Sequence, residues 1–136
     1  MAENVIVDAS FLIASLNRRD SNHAWAMAIA VKFPPPWQTC EAVISEVFYL
    51  TEQSRHPVFA ELLRRRSLTS LFHLSEHAGE VLALMEKYSD VPMSFADACL
   101  VRMTEVRSDP ALLTADTDFR IYRRHGRKAI PSVMPA

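Results

Sequence analysis

The apolar positions along this chain change period several times, and each change predicts an element. Asn4 to Ala9 (NVIVDA) is a short β-branched run, the pattern of a buried strand. SFLIASLNRR then reads as a helix, with Ser10 as a candidate N-cap. SNHAWAMAIAVKF predicts a second helix, favoured by its alanines, and Pro34, Pro35 and Pro36 stop it. WQTC is a candidate short strand. EAVISEVFYLTEQ carries Val43, Ile44, Val47, Phe48 and Leu50 at helical spacing. HPVFAELLRRR starts another helix near Pro57. SLFHLS is expected to be a strand and EHAGEVLALMEKYS a helix. SFADACLVRMTEV predicts a helix entered from Pro92. ALLTA reads as a strand, DTDFRIYRRHG as a short helical turn stopped by Gly126, and KAIPSVM as a last strand.

Strands and helices therefore alternate, which argues an α/β fold around a mainly parallel sheet. No repeat or low-complexity linker divides the chain, and 136 residues suit one ordinary domain, 1–136. In open α/β sheets the ligand site lies beyond the carboxyl ends of the strands.

Composition removes several function classes. The net charge of −1 supplies no global pull on nucleic acid, so such binding needs a local basic patch. The only glycines are Gly79 and Gly126, too few for a glycine-rich phosphate loop. Cys40 and Cys99 sit in apolar segments without a C-x-x-C, and are expected to be buried reduced thiols of a cytoplasmic protein. The five histidines have no metal-ligand spacing, and no G-x-S-x-G elbow is present. MAENVIVDAS lacks the basic start and long apolar core of a signal peptide, and no apolar run reaches membrane-spanning length.

What remains is a set of acids. Asp8 closes the first strand (VIVD) and Asp116 a later one (LLTAD). If these strands are parallel, both carboxylates emerge on one edge. Asp97 is the only charge in VPMSFADACLV, and Glu46 lies at the margin of its helix's apolar stripe. Each has a local explanation. Ser94 and Asp97 fit a capping box, Asp116 or Thr117 could cap the following turn, Asp8 could cap the first helix, and Glu46 could be solvated. Caps have no need to converge, whereas a hard divalent cation needs several convergent oxygens. Carboxylates without a His/Cys set suit Mg²⁺ or Mn²⁺.

The segments VIVDASFLIA, EAVISEVFYL, MSFADACLVRM and LLTADTDFRIY, in this order, resemble the PIN domain, and in particular the VapC toxin ribonucleases of toxin–antitoxin pairs. The resemblance implies an α/β/α sandwich with a central parallel sheet and Mg²⁺-dependent hydrolysis of RNA. It carries the family's acids onto Asp8, Glu46, Asp97 and Asp116, with Asp8, Asp97 and Asp116 as metal ligands. Ser10 and Thr114 fall on the family's hydroxyl positions. Asp118 either assists the metal or caps the turn, and Asp90 occupies a position where related sequences can carry an acid. A cognate antitoxin, a homodimer and an RNA substrate are the implied partners, with no membrane role. The alternative is a catalytically silent PIN-like domain that only binds RNA or protein.

Two surface features bear on partners. RRHGRK, containing Arg123 and Arg124, is a candidate phosphate-tracking rim or a solvated face. Trp25, Phe48, Tyr49, Phe59, Leu62 and Leu63 lie on adjacent expected helices. They are core residues, or in part an apolar groove of the kind that receives an antitoxin helix in the resembled family.

Overall fold

A computed structural model describes residues 2–136. Five parallel strands form the central sheet: β1 (Asn4–Val7), β2 (Trp37–Thr39), β3 (Leu68–Ser70), β4 (Pro110–Leu113) and β7 (Ser132–Val133). Their order is β3-β2-β1-β4-β7. Strands β1 and β4 are the inner pair, and both read as continuous apolar runs because parallel strands covered on both faces expose no polar side. Their register aligns Asn4 with Pro110 and Val7 with Leu113. Asp8 and Thr114 are therefore the first residues beyond the paired edge.

Six helices flank the sheet: α1 (Ala9–Leu16), α2 (His23–Lys32), α3 (Glu41–Leu50), α4 (His56–Arg64), α5 (Ala78–Lys87) and α6 (Phe95–Val106). Helix α6 packs against β1, β4, α3 and α5, and α1 packs against α2 and α3. Phe11 anchors the second group, meeting Trp25 and Trp37 edge-on at 5.9 and 5.2 Å between centroids. The α/β architecture with a central parallel sheet matches the sequence expectation. Among the described residues, no helix is long and apolar enough to cross a membrane.

Four local expectations change. The turn expected over DTDFRIYRRHG covers only Thr117–Arg120, and Arg123–Arg124 pairs as a strand instead. The cap of α1 is Asp8, whose side chain accepts the Ala9 N–H; Ser10 lies inside the first turn. The strand expected at SLFHLS sits earlier, at Leu68–Ser70, paired with Trp37–Thr39. Burial decides the shift: Leu68 is 1% exposed and Leu71 61%. Phe72 then turns inward and stacks on His77, 4.8 Å between rings. KAIPSVM is two strands, not one. Pro131 cannot donate to a ladder. Before it, β6 (Lys128–Ala129) pairs antiparallel with β5 (Arg123–Arg124), and after it β7 joins β4. The β5–β6 hairpin turns through His125 at φ 52° and Gly126 at φ 83°, left-handed backbone that glycine adopts without strain.

Candidate active site

The carboxyl edge of β1 and β4 gathers side chains from four segments. Asp8 is the most enclosed. Its Oδ1 accepts the Ala9 N–H at 2.6 Å. Its Oδ2 accepts the Thr114 hydroxyl at 2.7 Å and the Ser10 hydroxyl at 3.1 Å. Burial pushes the Asp8 carboxyl up to about 6, against the pull of the Thr114 bond, and the nearby Asp97 charge adds to the rise. Thr114 in turn accepts the Asp116 N–H at 3.0 Å, and Ser10 accepts the Ala115 N–H at 2.9 Å. Both hydroxyls thus tie the segment after β4 to the carboxylate after β1.

Asp97 stands in the first turn of α6. The capping box is present: the Asp97 N–H donates to Ser94 Oγ at 3.0 Å, and the Ser94 N–H donates to Asp97 Oδ2 at 3.4 Å. A second donor is absent from any local sequence pattern. The Tyr122 hydroxyl, 25 residues away, donates to the same Oδ2 at 3.0 Å. Burial raises the Asp97 carboxyl; the Tyr122 bond opposes that and Asp116 adds to it. Burial and then the Asp97 charge push the Tyr122 phenol well above its ordinary value, so it remains a protonated donor.

Glu46 projects from α3 and is exposed as a residue, yet its carboxyl is partly desolvated. That desolvation raises it, with Asp97 and then Asp116 as further causes. Asp116 caps the short turn Thr117–Arg120, its Oδ1 accepting the Asp118 N–H at 2.9 Å. Asp118 sits in that turn, close enough for its charge to act on Tyr122. Asp90 lies exposed in the loop after α5, where its carboxyl accepts the Ser89 hydroxyl at 3.4 Å.

The Asp97 charge acts on Asp8 and Glu46, and the Asp116 charge on Glu46 and Asp97; among the described residues no basic side chain forms an ion pair with any of the four. The ion pairs among the described residues join Glu61 to Arg64 and Arg65, and Arg102 to Glu105. Also among the described residues, no three acid, histidine or cysteine side chains stand ready to hold a metal ion. The donor chemistry fits Mg²⁺ or Mn²⁺: all oxygen, anionic and partly desolvated. Asp97 Oδ1 takes no protein hydrogen bond among the described residues, which leaves it free for a cation.

The basic segment folds as the β5–β6 hairpin. Arg123 Nη1 donates to the carbonyls of Arg120 and Tyr122 at 2.8 and 3.0 Å, and Arg124 Nη2 donates to the Thr104 carbonyl. These guanidiniums fasten the hairpin, while Arg127 and Lys128 are its exposed cations. Of the groove candidates, Phe59 is buried, Trp25, Phe48, Leu62 and Leu63 are half-buried, and Tyr49 is 86% exposed. Beside them Pro57, Val58, Glu61, Leu62 and Arg65 line a depression of about 400 Å³. Cys40 and Cys99 are free and buried, as expected.

No curated protein sequence matches the chain significantly. The PIN domain profile matches residues 5–124, from within β1 to the end of β5, and so spans the segments that supply Asp8, Glu46, Asp97 and Asp116. This chain belongs to the PIN domain family, a superfamily of nucleases.

Proposed function

We propose that this protein is a Mg²⁺- or Mn²⁺-dependent endoribonuclease and the toxin half of a toxin–antitoxin pair. One observation carries the catalytic part of this reading: at the carboxyl edge of the sheet Asp8, Glu46 and Asp97, from three segments, are raised by burial and by neighbouring carboxylates, Asp116 from a fourth segment among them, with no ion-pair partner among the described residues. Such an arrangement is costly unless a cation joins it.

Asp8, Asp97 and Asp116 would hold the ion, which supplies the positive charge that lets an anionic phosphodiester enter an acidic pocket. Ser10 and Thr114 keep Asp8 in one orientation. Glu46 is the most solvent-accessible of the raised carboxyls and has no protein hydrogen bond among the described residues. It is suited to take the proton of the attacking water, with Asp116 as the other candidate base. Attack on phosphorus would leave a 5′-phosphate and a 3′-hydroxyl, the products the family resemblance implies.

The test is cleavage of end-labelled RNA by purified protein with Mg²⁺, with EDTA, and with Asp8→Ala. Cleavage only by the wild type with metal supports the reading. A folded wild type that binds RNA but never cuts it, with Mg²⁺ or Mn²⁺, favours the silent binding domain. For the partner, the exposed apolar surface of α3 and α4, with Tyr49 and Val58, is the site we assign to an antitoxin helix. Growth arrest on expression, relieved by the neighbouring reading frame, and a size shift when the two products are mixed would support the pairing. A homodimer in the cytoplasm is part of the same proposal.

A further inference from the structure

Resting on the metal reading above, we infer that Tyr122 is a positioning residue that aims Asp97 at the cation. Tyr122 is completely buried, and its ring is fixed by two edge-on aromatic contacts. Phe119 lies 5.2 Å away with the planes at 87°, and Tyr88 lies 5.2 Å away at 64°. The phenol therefore has one place to put its proton, Asp97 Oδ2.

The Ser94 N–H arrives at that same oxygen. Two donors on Oδ2 fix the carboxylate plane and leave Oδ1 as the outward atom. Asp8 is also held by two donors on one oxygen, the Thr114 and Ser10 hydroxyls on Oδ2, although its Oδ1 in addition accepts the Ala9 N–H. Helix capping alone needs only the Ser94 half of the Asp97 arrangement. The buried phenol, brought from beyond β4, is the part that capping leaves without a purpose. Partners that orient a metal ligand generally contribute about 10–100-fold in metal affinity.

The test compares Mn²⁺ binding by calorimetry in wild type, Tyr122→Phe and Tyr88→Phe, with metal-free thermal unfolding of each. Tyr122→Phe keeps the ring and removes only the hydroxyl. Its Mn²⁺ affinity should fall about 10–100-fold. Its cleavage rate should recover at saturating metal, moving the metal requirement more than kcat. Tyr88→Phe, in the same aromatic cluster but without contact to Asp97, should bind Mn²⁺ like wild type. Equal affinity in wild type and Tyr122→Phe overturns the inference, as does an equal loss in both variants. A wild type that binds no Mn²⁺ overturns the metal reading itself, and the role of Tyr122 with it. If Tyr122→Phe fails to fold, wild type labelled with 3-fluorotyrosine gives a second measurement. With Tyr49 and Tyr88 assigned by substitution, the remaining resonance must shift on adding Mg²⁺; a stationary one overturns the inference.

Discussion

Thr114 donates its hydroxyl to Asp8 Oδ2 at 2.7 Å while accepting the backbone N–H of Asp116 at 3.0 Å. One buried side chain thus couples the carboxylate after β1 to the residue that follows β4. Thr114→Val preserves the shape and removes both bonds. An enclosed polar group left without its partner costs about 1–3 kcal/mol. The midpoint of urea unfolding should fall accordingly, and Thr114→Ser should restore most of it. A Thr114→Val protein as stable as wild type would remove Thr114 from this role.

Asp97→Asn separates packing from electrostatics. The amide retains an acceptor for Tyr122 and much of the cap, so the metal-free protein should unfold within a few degrees of wild type or slightly above it. Cleavage should fall by more than the roughly 100-fold associated with losing a partner of a ligand. Full activity in folded Asp97→Asn protein would end the metal-ligand assignment.

Stability should depend on pH in a direction that runs against ordinary acid denaturation. The Asp8 carboxyl is raised to about 6 in the fold, from 3.8 in an unstructured chain, so the folded state binds its proton more tightly. The resulting contribution is fully present below the unfolded value and is lost as pH rises through about 6. It amounts to a few kcal/mol, on the order of 3. Asp97 and Glu46 are shifted in the same direction. In EDTA, the stability difference between wild type and Asp8→Asn should therefore widen to the disadvantage of wild type between pH 4.5 and 7.5. Mg²⁺ at pH 7.5 should reverse that loss in wild type. A pH-independent difference, unmoved by Mg²⁺, would show that the Asp8 shift is absent.

The β5–β6 hairpin holds its basic residues in two settings, Arg123 and Arg124 bonded to backbone carbonyls and Arg127 and Lys128 exposed. Arg124→Ala removes the guanidinium on the Thr104 carbonyl and should lower stability without altering the salt dependence of RNA binding. Replacing exposed Arg127 and Lys128 should do the reverse. The slope of log affinity against log salt should fall by about 0.7 for each phosphate of single-stranded RNA that is no longer neutralised. The opposite division, measured by filter binding at several salt concentrations, would return the rim to Arg123 and Arg124.

What can be read from the sequence follows from which interactions are local. Asp8 and Asp116 are legible because strand-end acids in parallel strands must share an edge, and Ser94 with Asp97 because capping spans one turn. Tyr122 is not, since its partner lies 25 residues back and no spacing rule joins an aromatic residue after a turn to a helix start. The strand at Leu68–Ser70 is easily misplaced because Leu71, Phe72 and Leu74 offer an equally apolar run, and the burial of Leu68 with its pairing to Trp37 decides between them. KAIPSVM looks continuous, yet the proline inside it marks the passage from hairpin to sheet. The cap and site explanations of the acids, posed as alternatives, are compatible. Asp8, Asp97 and Asp116 each use an oxygen for a local backbone N–H, and Asp97 still keeps another free.

The donors that reach Asp8 and Asp97 across the fold come from one short stretch, Thr114 to Tyr122, and that gives the site a position in time. Asp8 is made 106 residues before the Thr114 hydroxyl that orients it. β1 likewise waits for β4 before its inner edge is paired. A chain made only as far as α5 holds no oriented pair of carboxylates, since Asp97, Thr114 and Tyr122 all follow it. The aim of both acids is set only once the stretch from Thr114 to Tyr122 is in place. An unfinished chain, however well its helices form, lacks the geometry of the completed one.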